Sequence, residues 1–308
     1  MSSSSLGVVT VSEQTRDAFR GKTVLLTGAS GGLGAQLALQ LASCGVKTLV
    51  LSGRKQEALE PIAKQCQEVE MNSVTSASTS TTTTTTILCL TCDLSDKESV
   101  SKLGQDVLKA CDNAVDVLIH CGGVSSRSNF VDTAFEIDET VMQINFLSGV
   151  SLCHALVPGM MQNNGRGGRV IWISSVQGLV GIPSRTSYAA SKFAVQGYCE
   201  ALRAEVASSN VTVHCVSPGY IRTNLSKSAL TGDGTAHGKM DVTTENGADP
   251  QDVAVEILDK VAKGRNDFIV AATPSAKAAI WLRLLCPGLL QTLLVKRFEK
   301  SQKKEKED

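Results

Sequence analysis

The stretch TVLLTGASGGLG, residues 23–34, decides how the rest of the chain is read. Thr23 to Thr27 form an apolar run of the kind a buried strand uses. A glycine-rich turn follows at once, and behind it a helical pattern runs through Leu37, Leu41 and Ala42. Gly28, Gly32 and Gly34 permit the tight turn and a close backbone approach. The helix start then offers free N–H groups and the positive end of its dipole to a pyrophosphate. A glycine turn by itself says little, but strand, turn and helix in this order are what a dinucleotide site requires.

Further strands are expected at Thr48–Ser52, Ile87–Cys92, Val115–His120, Val170–Ser174, Val211–Val216 and Asp267–Ala271, with helical patterns between them. That alternation predicts an α/β fold, a single doubly wound (Rossmann) parallel seven-stranded sheet with helices on both faces. Ser95 is the expected N-cap of a helix over Asp96–Ala110, with Glu98 completing a capping box. Around a body at 21–272, residues 1–20 read as a flexible lead-in and 71–86 as a Ser/Thr-rich loop insertion that cannot build a core. Residues 220–249 read as a substrate lid and 273–308 as an apolar, then basic, tail.

Thirty basic and thirty acidic residues leave no net charge, which argues against a nucleic-acid partner. Ten cysteines without paired spacing, apart from Cys89 and Cys92, read as reduced thiols. Those two would face opposite sides of a strand, and the chain has only four histidines, so no metal site is expected.

The end of the second strand, Gly53-Arg54-Lys55, lacks the carboxylate that would hold a ribose 2′-hydroxyl. It carries instead a guanidinium suited to a 2′-phosphate, so NADP(H) is expected rather than NAD(H). Asp93 and Leu94 end the third strand, where the carboxylate can reach an adenine. The fourth strand ends in Cys121-Gly122-Gly123, small enough for close cofactor approach. Asn145, among Ile144, Phe146 and Leu147, is an amide on an apolar helix face and needs partners, either local backbone or a water near the site.

A second stretch, RVIWISSVQGLVGIPSRTSYAASK at 169–192, carries the chemistry. A strand ends at Ser174 and Ser175, and thirteen residues beyond Ser175 comes Tyr188, with Lys192 at i+4 on the same helix face. A cation beside a phenol favours the phenolate, so Lys192 is expected to bring Tyr188 toward proton exchange near neutral pH. Ser175 can bond the same substrate oxygen.

With TGASGGLG (27–34), Asp93-Leu94, Asn145, Ser175, YAASK (188–192) and Pro218-Gly219 in hand, the chain resembles the short-chain dehydrogenase/reductase family over about residues 20–272. The resemblance implies Asn145, Ser175, Tyr188 and Lys192 as a catalytic tetrad, with Tyr188 as acid/base and Ser175 as the group that binds and orients the substrate carbonyl. It implies that Lys192 and Tyr188 meet the nicotinamide ribose, that Asn145 anchors a relay water, and that Thr223 contacts the carboxamide. Gly28, Ser30, Gly31, Gly32, Leu33, Gly34, Arg54, Asp93, Leu94, Gly122, Pro218 and Gly219 complete the expected cofactor site. The family usually has Asn-Asn-Ala-Gly after its fourth strand; this chain has His120-Cys121-Gly122-Gly123, which puts cofactor affinity in question rather than chemistry.

The expected reaction is reduction of a carbonyl or oxidation of an alcohol on a small hydrophobic, lipid-, steroid- or retinoid-like substrate. Residues 218–244 and 281–294 resemble a membrane-associated branch of the family linked to acyl- or alkyl-dihydroxyacetone phosphate, whose phosphate Arg185, Arg222 and Lys227 would meet. The rival reading is a nucleotide-sensing regulatory protein on the same fold, and a complete tetrad argues against it. Residues 278–295 are apolar but broken by Arg283, Pro287 and Gly288, and a lysine-rich cluster follows, which suits either peripheral contact of 278–306 with an anionic bilayer or packing of the apolar segment against the substrate pocket or a partner subunit. Lys306 and Lys304 stand third and fifth from the end, resembling a retrieval signal to the cytosolic face of the endoplasmic reticulum. A homo-oligomer is admitted beside the monomer.

Overall fold

Each apolar run of the sequence becomes a strand paired in one direction with its neighbours. In the computed structural model, which describes residues 11–75, 84–163 and 165–307, the strands are β1 (Thr23–Thr27), β2 (Thr48–Gly53), β3 (Thr86–Thr91), β4 (Val117–His120), β5 (Gly168–Ile173), β6 (Val211–Pro218) and β7 (Asp267–Val270). They form one parallel sheet in the order β3-β2-β1-β4-β5-β6-β7. Leu25 stands opposite Val50 and Leu118, and Leu26 opposite Leu51 and Ile119. Because successive side chains point to opposite faces, these rows feed two separate cores.

Leu26, Leu51 and Ile119 pack under α2 (Gly32–Ser43), α3 (Gln56–Thr75) and α9 (Pro250–Ala262). Leu25, Val50, Leu118 and Trp172 pack under α4 (Lys97–Ala110), α6 (Ser148–Met161) and α7 (Thr186–Val206). Each fully buried Leu or Ile contributes roughly 1.5–3 kcal/mol, and a sheet covered on both faces explains why its strands read as continuous apolar runs. The chain leaves β1 toward β2 and β3 on one side, then returns to β4 and proceeds the other way. A crevice therefore opens beyond the carboxyl ends of β1 and β4.

Four expectations need correction or refinement. The lead-in is ordered from Val11 on: α1 (Glu13–Phe19) is capped by Ser12, whose hydroxyl donates to Asp259 of α9 at 2.9 Å and is joined there by the hydroxyl of Thr15. Phe19 is fully buried beneath the Arg169 guanidinium, 5.4 Å from its ring centroid. Serine-rich composition suggests looseness, but one amphipathic turn docks as firmly as its aromatic allows; residues 1–10 lie outside the described residues.

The Ser/Thr insertion begins later than 71, because α3 continues to Thr75; residues 76–83 also lie outside the described residues. The helix expected from Asp96 starts at Lys97 and is capped by Asp96, whose carboxylate accepts from Glu98 N at 3.0 Å. An ionised acceptor one residue nearer outcompetes the Ser95 hydroxyl, which donates to Asp93 at 2.7 Å instead. The segment 220–249 is closed on itself by a bridge of Ile221 with Ala248, is joined to the body by a bridge of Leu230 with Ser126, and holds the short α8 (Val242–Glu245). The helical pattern of 136–162 is α5 (Phe135–Met142), a π turn at Gln143–Leu147, and α6. The tail forms α10 (Pro274–Leu285) and α11 (Pro287–Glu307).

Truncating Phe19 to Ala is expected to destabilise the fold by about 3–5 kcal/mol, read as a lowered urea midpoint; an unchanged midpoint would return residues 11–20 to the status of a loose lead-in.

Candidate active site

The glycine turn is shaped by what a side chain would strike. Gly28 has φ +68°, and a Cβ there would come within 2.7 Å of the Gly122 backbone; a Cβ at Gly34 would come within 2.1 Å of the Gly28 carbonyl. Only glycine satisfies both. The turn delivers α2, whose cap Gly31 contributes no side-chain hydrogen bond and whose first turn has no acidic residue. Its leading N–H groups and dipole therefore face the crevice uncompensated. Position 53 is equally tight: a Cβ would press on Leu59 and on the Ser30 hydroxyl at 3.1 Å. The β2 end thus has little room for a carboxylate there, and Arg54 follows, exposed.

A cavity of about 510 Å³ occupies the crevice. Every residue expected to hold a cofactor lines it, from Gly28 and Ser30 through Arg54, Asp93, Leu94 and Gly122 to Pro218, Gly219 and Thr223, and so do Ser175, Tyr188 and Lys192. An uncapped helix start, a glycine floor closed to side chains and a guanidinium at the far end fit a dinucleotide phosphate chain. Asn145 is the exception: fully buried, it stands behind the wall. Its Oδ1 accepts from Val124 N at 2.8 Å, and its Nδ2 donates to Val124 O at 2.9 Å and to Ser191 Oγ at 3.0 Å. The side chain takes the backbone-bonding alternative. It fixes the loop after β4 to α7 from within the π turn.

Tyr188 and Lys192 share one face of α7 and are both buried, but they do not meet as spacing suggested. The Lys192 ammonium donates to Ile173 O at 2.9 Å and lies 5.8 Å from the Tyr188 ring centroid. Burial lowers the amine to about 8, offset only in part by Cys121 and Cys215. Burial also raises the Tyr188 phenol, against the opposing effects of a hydrogen bond from Ser175 and of the Arg185 and Arg127 charges. The expectation that Lys192 makes Tyr188 acidic is corrected: burial of the phenol prevails and holds it above its usual range, while the ammonium takes the nearest buried carbonyl. Ser175 is itself held, accepting from Gln177 N at 3.1 Å.

The two arginines form a cluster that spacing does not reveal. Arg127 donates from Nε to Asp241 at 3.0 Å, and Arg185 from Nη2 to the same oxygen at 3.2 Å. Burial opposes ionisation of Asp241, yet Arg127 and Arg185 outweigh it and hold the carboxyl below its usual range. Tyr220 is likewise raised by burial, but Arg185 and Arg297 prevail and lower it. Of the three cations expected at a phosphate, only Arg185 lines the cavity. Arg222, 57% exposed, pairs outward with Asp249, and Lys227 is not among the lining residues.

His120, where the family has asparagine, keeps the sheet-stitching role. Gly122 N donates to Thr27 Oγ1 at 3.2 Å, Thr27 Oγ1 and His120 Nδ1 are 3.0 Å apart, His120 Nε2 and Ser148 Oγ 3.4 Å, and Ser148 donates to Ile144 O at 2.8 Å. That sequence of bonds assigns the imidazole proton to Nε2 and ties β1, β4 and the π turn together. Among the described residues no cluster of ligands could hold a metal ion.

The short chain dehydrogenase profile matches residues 22–233. The chain is a short-chain dehydrogenase/reductase. It is 41% identical over 297 residues to a "Dehydrogenase/reductase SDR family protein 7-like" of Anopheles gambiae, covering 96% of this chain and 89% of that protein. It is 40% identical over 284 residues to "Dehydrogenase/reductase SDR family member 7B" of Bos taurus, covering 92% and 83% respectively. Among solved structures, a short-chain dehydrogenase of Sphingobium yanoikuyae in complex with NADPH superposes with TM-score 0.69 at 24% identity, over 89% of this chain and 95% of that one. An SDR of Burkholderia phymatum in complex with NAD gives 0.72 at 21%, over 88% and 95%. Membership of this oxidoreductase family brings with it the binding of a nicotinamide cofactor.

Full burial lowers His120 to about 3, with the Lys192 charge adding to the effect. A folded-state value below the unfolded 6.5 means the unfolded chain binds the extra proton between them, so stability falls as pH drops through that window. Between pH 6.5 and 5 the loss from this group is about 2 kcal/mol. His120→Asn is expected to flatten that acid limb in urea titrations at the two pH values; an unaltered limb would show that His120 is not its source.

Proposed function

We propose that the protein interconverts a carbonyl and an alcohol on a hydrophobic substrate with NADP(H), Tyr188 handling the proton on the substrate oxygen. The observation that carries this reading is the convergence of Ser175, Tyr188 and Lys192 on one wall of the cavity whose floor is the glycine turn. When bound, the nicotinamide supplies or accepts the hydride. Ser175 and Tyr188, which both line the cavity, offer two hydroxyls to one substrate oxygen. Tyr188 gives that oxygen its proton on reduction and recovers it on oxidation. Lys192, buried with an amine near 8, keeps its positive charge at neutral pH and would hold the ribose hydroxyls of the nucleotide. Asn145 acts as a positioning residue through Val124 and Ser191.

The preference for NADP(H) is supported by Arg54 and by the crowded, side-chain-free position 53. Substrate hydrophobicity is supported by Val124, Ile144, Val176, Leu225 and Leu230, which line the cavity. A phosphate-bearing lipid ketone, such as an acyl- or alkyl-dihydroxyacetone phosphate, would meet Arg185, with Arg127 beside it.

Tyr188→Phe is expected to lower kcat by about 10²–10⁴ while NADPH binding, followed by fluorescence, persists. Activity equal to the parent would remove Tyr188 from the reaction. For Arg54→Ala the preference for NADPH over NADH should fall about tenfold to a hundredfold, as the loss of a charge-assisted bond implies; a preserved ratio of kcat/KM values would leave cofactor choice to other residues.

A further inference from the structure

The last two helices present a face that the fold does not cover. On α10, Trp281, Leu284 and Leu285 are 63, 64 and 72% exposed and share one side of the helix. Arg283, about 150° round from the centre of that side, packs over the Phe193 ring of α7 at 4.7 Å from its centroid. The body therefore holds the Arg283 side, and the apolar side points away. On α11, Leu290 is buried and Arg297, at i+7 on the same side, reaches Tyr220 at the cavity. A neighbouring row, Leu289, Leu293, Lys296, Lys300 and Lys303, follows the 4-3-4-3 spacing of one helix face, and all five are exposed.

We propose that α10 and α11 form a docking surface for an anionic bilayer, seated beside the cavity mouth. Trp281, Leu284, Leu285, Leu289 and Leu293 enter the headgroup–acyl boundary, and Lys296, Lys300 and Lys303 meet anionic headgroups. The order along α11, apolar near the helix break at Cys286 and basic beyond it, matches a helix whose first turns dip below the headgroups while its later turns stay among them. A face with apolar residues alone would suit a second copy of the chain equally. The lysine row extending from it repels its own copy and attracts an anionic leaflet. Binding to the bilayer does not depend on the reading of Tyr188.

The test is co-sedimentation of the full-length protein, loaded with NADPH, with vesicles of phosphatidylcholine alone and of phosphatidylcholine with phosphatidylserine. Neutralising Lys296, Lys300 and Lys303 to Gln is expected to weaken binding to the anionic vesicles about a hundredfold, about fivefold per lysine, and to remove its sensitivity to salt. Trp281→Gln with Leu285→Gln is expected to abolish binding to both vesicle types. Turnover of a water-soluble ketone should be retained by both variants, showing that they are folded. Binding unchanged in both variants would overturn the proposal, as would its loss only on changing the exposed pair Phe130 and Val131, or a self-association that the Trp281 and Leu285 changes dissolve while no vesicle binding exists.

Discussion

Where β1 and β4 separate, Gly28 lies so close to the backbone of Gly122 that position 28 admits no Cβ, which would come within 2.7 Å of Gly122 N and Cα. The rest of the site depends on this contact. It sets the turn that aims the start of α2 into the crevice, and it brings the ends of β1, β3 and β4 to one floor. A bulkier pair would part the strands at the point where strand order reverses, and the crevice would lose its phosphate-binding geometry.

The same junction is stabilised beneath the floor by the buried path from Gly122 through Thr27, His120 and Ser148 to Ile144. A buried polar path is favourable only when each member has its partner, and the imidazole, with one donor and one acceptor, fills a gap between two hydroxyls. The departure from the family's asparagine thus changes the chemistry of the stitch and keeps its geometry. The edge of His120 also rests on Trp172, 4.9 Å between centroids, which in turn occupies the space left by Gly149. The substitution is accommodated by aromatic packing as well as by hydrogen bonds.

The sheet was legible because strands buried on both sides must be apolar throughout, and helices between them must carry an apolar stripe. Ser175, Tyr188 and Lys192 were legible because a strand end and a helix face fix where side chains go. What the sequence hid depends on partners far along the chain. Arg127 meets Asp241 across 114 positions, and neither lies in a periodic pattern. Ser12 and Thr15 find Asp259 at the other end of the body, so composition alone made them look unattached. Spacing placed Lys192 on the side of Tyr188 but not its ammonium, which took the carbonyl of Ile173.

The electrostatics of the phenol follow from that arrangement. Tyr188 is buried, which favours its neutral form, against the opposing charges of Arg185 and Arg127. Both guanidiniums are held by Asp241, from the segment that covers the cavity. One carboxylate therefore seats the covering segment and tempers the positive field at the phenol. Moving Asp241 away would leave two half-buried guanidiniums unneutralised and lower the cost of the phenolate. With Asp241 in place, burial prevails over the two arginines and holds the phenol above its usual range.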